Sequence, residues 1–366
     1  MNIDDYLSKM KDIQSSLLMF LDQQSNNEEK FSELLTLFNN HKIIENKNEL
    51  KSLLHMILNI ANDYHRSSIF FDLIKQILFY LKDPIKQSFS NYQIVNIFIT
   101  NKKMLLLLID LKIIDVDKSL MNLITANKKS EYKYIHYFLP EIKELISKDM
   151  YEKMSKELPE NFEQLRQIGE NNSYLCSLIR DDSIKEFIEF VNKSPISLSD
   201  AIIEPSIYET NSFLIDKNLT ISEYASFFGS IQIIKYLYYN KVDLNPSLII
   251  YAIHSKNYDL IDFIESINKD INDTLLQQYI NESIKCHHNE ITNYFIDKHQ
   301  QLLQNYFKQI LKSYNFEFIT YDPELFVQSL TYFCKYDYYI IVEMLLNSFD
   351  INDIDKPIII LCQSIQ

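Results

Sequence analysis

The chain has 366 residues, of which 46% are hydrophobic and 23% are charged, so it has enough apolar surface to fold. Only two residues are glycine and eight are proline, which argues against glycine-rich phosphate loops and against sheets joined by many tight turns. The formal net charge is −14. A phosphate backbone would repel such a chain, so we expect no nucleic-acid partner.

The amino-terminal segment MNIDDYLSKMKDI is acidic and amphipathic, without an apolar core of signal-peptide length. The apolar run from Met104 to Ile109 stops at Asp110, and it is too short to span a bilayer. We therefore expect a protein that is located in the cytoplasm and does not bind membranes.

The first part of the chain has the spacing of short amphipathic helices. The second of these is marked by Phe31, Leu34 and Phe38, and the fourth is expected to end before Asp83-Pro84. Short helices joined by a few polar residues favour stacked helical hairpins over one long bundle. The predicted helices cover about residues 3–21, 31–38, 49–61, 69–81, 91–99, 104–111, 117–126 and 131–138.

The chain becomes more polar and mixed in charge between Glu141 and Glu170. We interpret this stretch as a boundary within one array of hairpins. The predicted organisation is an N-terminal helical-hairpin region at 1–150, a charged helical connector at 151–172, divergent repeats at 173–300, and further repeats at 301–366.

An internal repeat is clearest from Thr220 to Asn245, TISEYASFFGSIQIIKYLYYNKVDLN. Ala225 recurs as Ala252 after 27 residues and as Ser283 after a further 31. The same two offsets carry the apolar pair Ile233-Ile234 to Leu260-Ile261, and then Leu260 to Ile291. Three successive copies predict three similar helical hairpins.

Two capping boxes are predicted at helix starts, Ser183 with Glu186 and Thr220 with Glu223. Gly229 is expected to end the first helix of its hairpin in a left-handed conformation.

A fourth copy is indicated by Ile341-Val342, Leu345-Leu346 and 350–352, and 356–362 resembles the first helix of another. The last copy is incomplete, so the chain ends in an irregular cap or is a fragment of a longer array.

The repeat segments RDDSIKEFIEFVNKS, SEYASFFGSIQIIKYL, PSLIIYAIHSKNYDLIDFIE and NESIKCHHNEITNYF resemble ankyrin repeats. More specifically, they resemble the divergent ankyrin-like domain of unknown function found in large protist protein families. The resemblance implies an all-α fold, an ankyrin-like solenoid of helical hairpins with little or no β structure. It also implies binding to other proteins.

The chain departs from the ankyrin pattern in three ways. Lys241 stands where the turn usually has glycine, the T-P-L-H opening is absent, and offsets of 27 and 31 are shorter than the ankyrin repeat of roughly 33 residues. We therefore expect shortened or irregular finger loops between hairpins.

The most metal-like cluster is Cys286-His287-His288. Consecutive helical residues point in different directions and no second ligand pair follows at finger spacing, so we expect no metal and no cofactor. The sequence also lacks an H-E-x-x-H motif, a P-loop and a nucleophile elbow. We therefore predict a protein that is not an enzyme.

An aromatic run from Tyr332 to Tyr339 fits an interface or a core, and we favour the core. The pair Phe227-Phe228 has the same ambiguity.

The predicted function is a non-enzymatic protein-interaction module or scaffold whose partner has a basic patch. Alternatives are an adaptor or regulatory subunit of an enzyme complex and, less favoured because of the charge, a nucleic-acid-binding helical repeat. The binding residues are expected on the concave helix face and the loops between repeats: Glu223, Phe227, Tyr239, Tyr251, His254, Lys256, His287 and His288.

Overall fold

The computed structural model describes residues 2–23, 27–126, 131–268 and 271–348. These residues form 22 α-helices, three short 3-10 helices and one antiparallel pair of two-residue strands. The predicted all-α fold with little β structure is therefore confirmed. None of the described helices is long and apolar enough to cross a membrane.

The helices are short, as expected, and most begin within two or three residues of the predicted position. In chain order they are α1 Ile3–Leu21, α2 Glu28–Asn40, α3 Lys47–Asp63, α4 Phe70–Ser88, α5 Asn91–Phe98, α6 Lys102–Asp110, α7 Lys118–Ala126, α8 Glu131–Tyr137, α9 Lys148–Ser155, α10 Phe162–Ile168, α11 Tyr174–Arg180, α12 Ile184–Lys193, α13 Ile221–Phe228, α14 Ile231–Tyr239, α15 Leu248–His254, α16 Tyr258–Ile267, α17 Asp273–Lys285, α18 Asn289–His299, α19 Phe307–Ser313, α20 Pro323–Gln328, α21 Leu330–Lys335 and α22 Tyr339–Ser348.

Strand β1, Ile202–Ile203, pairs with β2, Leu219–Thr220, so that Ile203 lies opposite Leu219. Both strands pack on α13. The 3-10 helices are Lys143–Leu145, Leu303–Tyr306 and Phe316–Phe318.

The chain divides into two compact units. The first contains 1–60, 66–88 and 283–366, and the second contains 61–65 and 89–282. None of these boundaries coincides with the predicted ones at 150, 172 and 300. The predicted connector, 151–172, belongs to the second unit. There Arg166 is buried and forms ion pairs of 2.7 Å with both Glu141 and Glu163.

Asparagine begins several of these helices, because its side chain accepts hydrogen bonds from the first free main-chain amides. Asn2 closes a capping box with Asp5 at the start of α1. Asn27, Asn101 and Asn257 cap α2, α6 and α16 in the same role. These asparagines therefore stabilise the starts of their helices.

Helix α4 is longer than predicted, because it continues through Pro84 to Ser88. Proline in a helix removes one hydrogen bond and is usually a stop signal. Beyond Pro84, however, Ile85 is fully buried, and Phe89, just after the helix, is also buried. Burial of these two side chains offsets the lost hydrogen bond, so tertiary packing decides the end of the helix.

In the second unit, consecutive helices form hairpins, in which α11 packs on α12, α13 on α14, and α15 on α16. The first helices of successive hairpins also pack on one another, α11 on α13 and α13 on α15. Of the second helices, α12 packs on α14. The aligned apolar residues face this core. Ala225, Ala252, Ile233, Ile234, Leu237, Leu260, Ile261 and Ile264 are all buried.

The turn within each hairpin contains one residue in the left-handed region. Gly229 has φ +74°, as predicted, and Lys256 and His287 follow at the repeat offsets with φ +53° and +56°. Asp182 occupies the same place after α11 with φ +46°. The amide of the next residue usually donates to the carbonyl five residues earlier, as Ser230 does to Ala225 and His288 does to Ser283.

Polar side chains in these turns bind the main chain of the preceding hairpin. The Ser230 hydroxyl donates to the carbonyl of Ile179, and the Asn257 amide donates to that of Gly229 at 3.0 Å. In the first unit, Asn315 follows a left-handed Tyr314 and donates to the carbonyl of Ile284 at 3.0 Å. A hydrogen bond from a turn side chain to the main chain at the end of a helix in the preceding hairpin therefore recurs.

One of the two predicted capping boxes is wrong. Thr220 and Glu223 form theirs, but the Ser183 side chain makes no capping hydrogen bond. Its neighbour Asp182 instead accepts from the amides of Gln232 and Ile233, both at 3.0 Å, and so caps α14 of the next hairpin. The pattern of Ser183 and Glu186 could not reveal a cap that acts between hairpins.

The first unit is held together by buried polar contacts as well as apolar ones. Lys9 of α1 forms a buried ion pair of 2.5 Å with Glu49 of α3. Gln14 donates to Asn315 at 2.9 Å, which joins α1 to the chain after α19. Near the end of the described chain, α21 packs on α22. Of the residues that predict a fourth copy, Ile341, Val342 and Leu345 are buried and Leu346 is half-buried. The predictions for 350–352 and 356–362 concern residues outside the described part of the chain.

Candidate interaction surfaces

Four of the eight predicted binding residues lie together in the second unit. They are Glu223 and Phe227 on α13 and Tyr251 and His254 on α15, two helices that pack against each other. Phe213, from the segment before β2, joins them. Its ring lies 6.0 Å from that of Phe227, 5.2 Å from Tyr251 and 4.3 Å from His254, measured between ring centroids.

Glu223 has two structural roles in this cluster. One carboxylate oxygen accepts from the amide of Thr220 at 2.8 Å and closes the capping box. The other accepts from the Tyr251 hydroxyl at 3.0 Å and ties α13 to α15. Burial and the nearby carboxylate both raise the pKa of Tyr251, so its hydroxyl remains a donor.

His254 is enclosed, with only 4% of its surface exposed. Its ring stacks on Phe227 at 4.8 Å, and its Nε2 lies 2.8 Å from Glu282 of α17. A histidine held between aromatic rings and a carboxylate is in a packing position. The prediction that its side chain contacts a partner has no support from this geometry.

The face formed by α13 and α15 is covered by the chain itself. Phe227 is 8% exposed, because Phe213 lies against it. The Lys217 ammonium sits 3.4 Å from the centroid of the Phe213 ring. The covering segment is firmly attached, since Thr210 is fully buried and its hydroxyl donates to the carbonyl of Gly169 at 2.7 Å. Sequence spacing alone gave no sign of this cover.

Two more predicted residues in the second unit occupy different environments. Lys256 is half-buried in the hairpin turn, with its ammonium 5.8 Å from the Tyr64 ring. Tyr239 is 74% exposed, the largest exposed fraction among the exposed large hydrophobic residues of the described chain. It lies at the end of α14, apart from the cluster on α13 and α15.

His287 and His288 belong to the first unit and are both buried. His287 is the left-handed residue of its turn. Burial lowers the pKa of His287 to about 4, although hydrogen bonds with the main chain of Lys285 and Tyr314 oppose the shift. These two histidines have an internal position, and their side chains are not available to a partner.

An exposed aromatic surface on α14 and α16 was only partly predicted. We call Lys235, Tyr238, Tyr239 and Phe263 the tyrosine patch. Tyr238 is 41% exposed, and its ring packs edge-to-face on Tyr239 and on Phe263, both at 5.7 Å. The Lys235 ammonium lies 5.9 Å from the Phe263 ring. The signal in the sequence was three tyrosines among the last four residues of α14, more than one apolar face can bury.

The preferred core interpretation of the aromatic run from 332 to 339 is confirmed. Phe333 and Tyr338 are buried, whereas Tyr332, Tyr336 and Tyr339 are half-buried. Tyr338 stacks on Tyr314 at 4.6 Å, and its hydroxyl donates to the carbonyl of Leu311. This run packs the first unit.

The two aromatic clusters of the second unit differ in their exposure to solvent. The cluster around Phe213 is filled by its own members, while the tyrosine patch presents rings to solvent. Comparisons of the chain with models of known families, with curated proteins and with solved structures found no match.

Proposed function

We propose that this chain is an ankyrin-like array of helical hairpins that acts as a non-enzymatic protein-interaction module. The observation that supports this most is the recurring bond from a turn side chain to the main chain of the preceding hairpin, from Ser230 to Ile179 and from Asn257 to Gly229. The left-handed turn residues at the repeat offsets add to it. Hairpins that cannot bury their apolar faces alone must stack, and stacked hairpins offer extended surfaces for other proteins.

The proposed contact surface is the tyrosine patch on α14 and α16. This differs from the sequence-based expectation, which placed four of the eight binding residues on α13 and α15. The α13 and α15 face, where four binding residues were predicted, is covered by Phe213 and Lys217. Exposed tyrosines that already pack against each other lose little conformational freedom on binding and are common anchors of interfaces. Of the eight predicted residues, Tyr239 is the one that belongs to this patch.

The proposed partner is a protein with a basic patch. Asp259 and Asp262 are exposed on α16 beside Phe263, and the chain as a whole is strongly acidic. Opposite charge on the partner would speed encounter and favour the correct orientation. The proposal includes a cytoplasmic location and a chain without affinity for nucleic acid. Localisation of a fluorescent fusion and a salt titration of RNA binding test these two points.

The surface assignment is tested by substituting both Tyr238 and Tyr239 with alanine in the full chain. After affinity purification identifies a partner, the double variant should bind it roughly tenfold more weakly or worse, because anchor tyrosines dominate binding energy. Its unfolding midpoint should change little, since both rings are exposed. Tyr174→Ala, at another exposed tyrosine of the same unit, is the matched control. Equal affinity of the double variant and the original chain would remove the tyrosine patch from the proposal.

A further inference from the structure

A second groove lies in the first unit, between α1 and α2. These consecutive helices pack through Phe20 and Phe31, whose ring centroids are 5.2 Å apart. Beside that contact a groove of about 700 Å³ is open to solvent. Its walls come from one face of each helix, at positions 12, 15, 16 and 19 of α1 and 29, 32, 33, 36 and 37 of α2. Spacings of three, four and seven residues place each set on a single helical face.

The chemistry of this groove is acidic with small side chains. Asp12, Glu29 and Glu33 line it, and none of its described lining residues is lysine or arginine. Lys30 pairs with Glu33 at 3.2 Å along α2 but does not line the groove. Serines and a threonine fill much of the remaining wall, so a partner backbone can approach closely.

The apolar contacts are limited but accessible. Met19 is 54% exposed in the groove, and Leu37 is half-buried. The face from Asp12 to Met19 covers about 10 Å, or two helical turns. The side-chain ridges of two packed helices leave a channel that suits a third helix better than an extended strand, which would find no open sheet edge here.

We propose that the groove binds a basic amphipathic helix of another protein. Lysine or arginine side chains of that helix would face Asp12, Glu29 and Glu33, while its small and apolar residues would lie against Met19 and Leu37. We infer that the partner helix is positively charged because the groove is lined by acidic residues. The same lining would repel nucleic acid, and it would repel a second copy of this chain, whose net charge is −14. The groove and the tyrosine patch lie in different units, so the two proposals succeed or fail separately.

The test uses the full chain and two fluorescent helical peptides of about four turns each. One peptide presents lysines on one face and leucine and alanine between them, and the other has glutamate in place of every lysine. Fluorescence anisotropy should show the lysine peptide binding at least roughly tenfold more tightly, with an affinity that falls as salt rises. Equal binding of the two peptides would overturn the proposal.

Two variants separate docking in the groove from attraction to an acidic protein in general. The double variant Glu29→Lys, Glu33→Lys should lower the affinity for the lysine peptide roughly tenfold, because two charges that face the peptide are reversed. The matched control is Glu186→Lys with Glu189→Lys on α12. It also reverses one first-turn glutamate and one that forms an exposed ion pair within its helix. An equal loss in both double variants would contradict a specific groove.

Ser32→Trp fills the groove without changing any charge. We expect this variant to bind the lysine peptide more weakly as well, while circular dichroism shows an unchanged helix content. Full binding by this variant would show that the peptide lies elsewhere on the surface and would overturn the proposed site.

Discussion

The side-chain amide of Asn257 donates a hydrogen bond of 3.0 Å to the carbonyl of Gly229 in the preceding hairpin. The other end of the same amide accepts from the amide of Leu260 at 3.1 Å and caps α16. One side chain therefore starts its own helix and holds the neighbouring turn. This combination is what a repeat needs if each hairpin is to fix the position of the one before it.

Replacing Asn257 with aspartate separates these two roles. The carboxylate still accepts from Leu260, but it cannot donate to Gly229 and places negative charge against a carbonyl. We expect Asn257→Asp to lower the free energy of unfolding by about 1 to 2 kcal/mol, measured by urea unfolding followed by circular dichroism. Asn27→Asp, at a cap that only accepts, should change it by less than about 0.5 kcal/mol. Equal effects at the two caps would show that the bond to Gly229 contributes nothing.

Gly229 is required by both its conformation and its surroundings. With φ at +74°, any other residue is strained, and an added Cβ would lie 2.9 Å from the Cβ of Ser255. We expect Gly229→Ala to cost about 2 kcal/mol or more in stability. Thermal and urea unfolding both report this change, and an unaltered midpoint would contradict it.

Lys241, like Gly229, has a left-handed backbone conformation, and replacing it with glycine should raise stability where replacing Gly229 lowers it. Lys241 follows α14 with φ +64°, and its side chain is exposed, so glycine there relieves strain without removing packing. Lys241→Gly should raise stability by about 0.5 to 1 kcal/mol. A loss of stability would mean that the lysine side chain has a role that its exposed position does not indicate.

His287 makes stability depend on pH between about 6.5 and 4. Burial lowers its pKa from 6.5 to about 4 in the folded chain, so the unfolded chain binds more protons in that window. Stability should therefore be complete above pH 6.5 and fall by about 3 kcal/mol as the pH drops to 4. His287→Asn keeps a residue that tolerates the left-handed backbone but removes this titration. Unfolding curves with the same pH slope for both proteins would refute the assignment.

Asp337 makes stability depend on pH in a lower range than His287 does. Burial alone would raise the pKa of Asp337, but hydrogen bonds from His55 and Lys51 outweigh it and lower the pKa from 3.8 to about 2. The stability that this carboxylate contributes is present above pH 3.8 and lost as the pH falls toward 2. Because the side chain is partly exposed, we expect a loss of about 1 to 2 kcal/mol.

Asp337→Asn preserves the shape of the side chain and is compatible with its φ of +60°. The variant should be less stable than the original chain at pH 5, and the difference should shrink as the pH falls below 3.8. A constant difference across this range would show that the contacts of Asp337 do not depend on its charge.

Local signals predicted local structure well. The capping box of Thr220 and the left-handed Gly229 were both correct, because each depends on residues within one turn of the chain. The box at Ser183 and the stop at Pro84 were wrong for the opposite reason. Asp182 caps a helix in the next hairpin, and burial of Ile85 keeps α4 intact, and neither effect is visible in a short window of sequence.

The candidate site was harder to predict, since helical spacing does not reveal what covers a face. Phe227 and His254 were chosen as exposed residues of a helix face, but Phe213, from a segment without a repeat signal, lies over them. His287 was expected on the binding face or in a loop between repeats, but its side chain is buried in a turn. Tyr239 is exposed because Ile233, Ile234 and Leu237 already fill the buried side of α14.

Site-specific photo-crosslinking tests the central proposal most directly. A photoreactive amino acid is placed at Tyr239 of the full chain in its native cell, and at Glu160, an exposed position of the same unit, as the control. If the tyrosine patch binds a protein, position 239 should yield one discrete crosslinked partner that position 160 does not, and Tyr238→Ala should reduce its yield. No adduct at position 239, or the same adducts from both positions, would contradict a protein-interaction module that uses this surface.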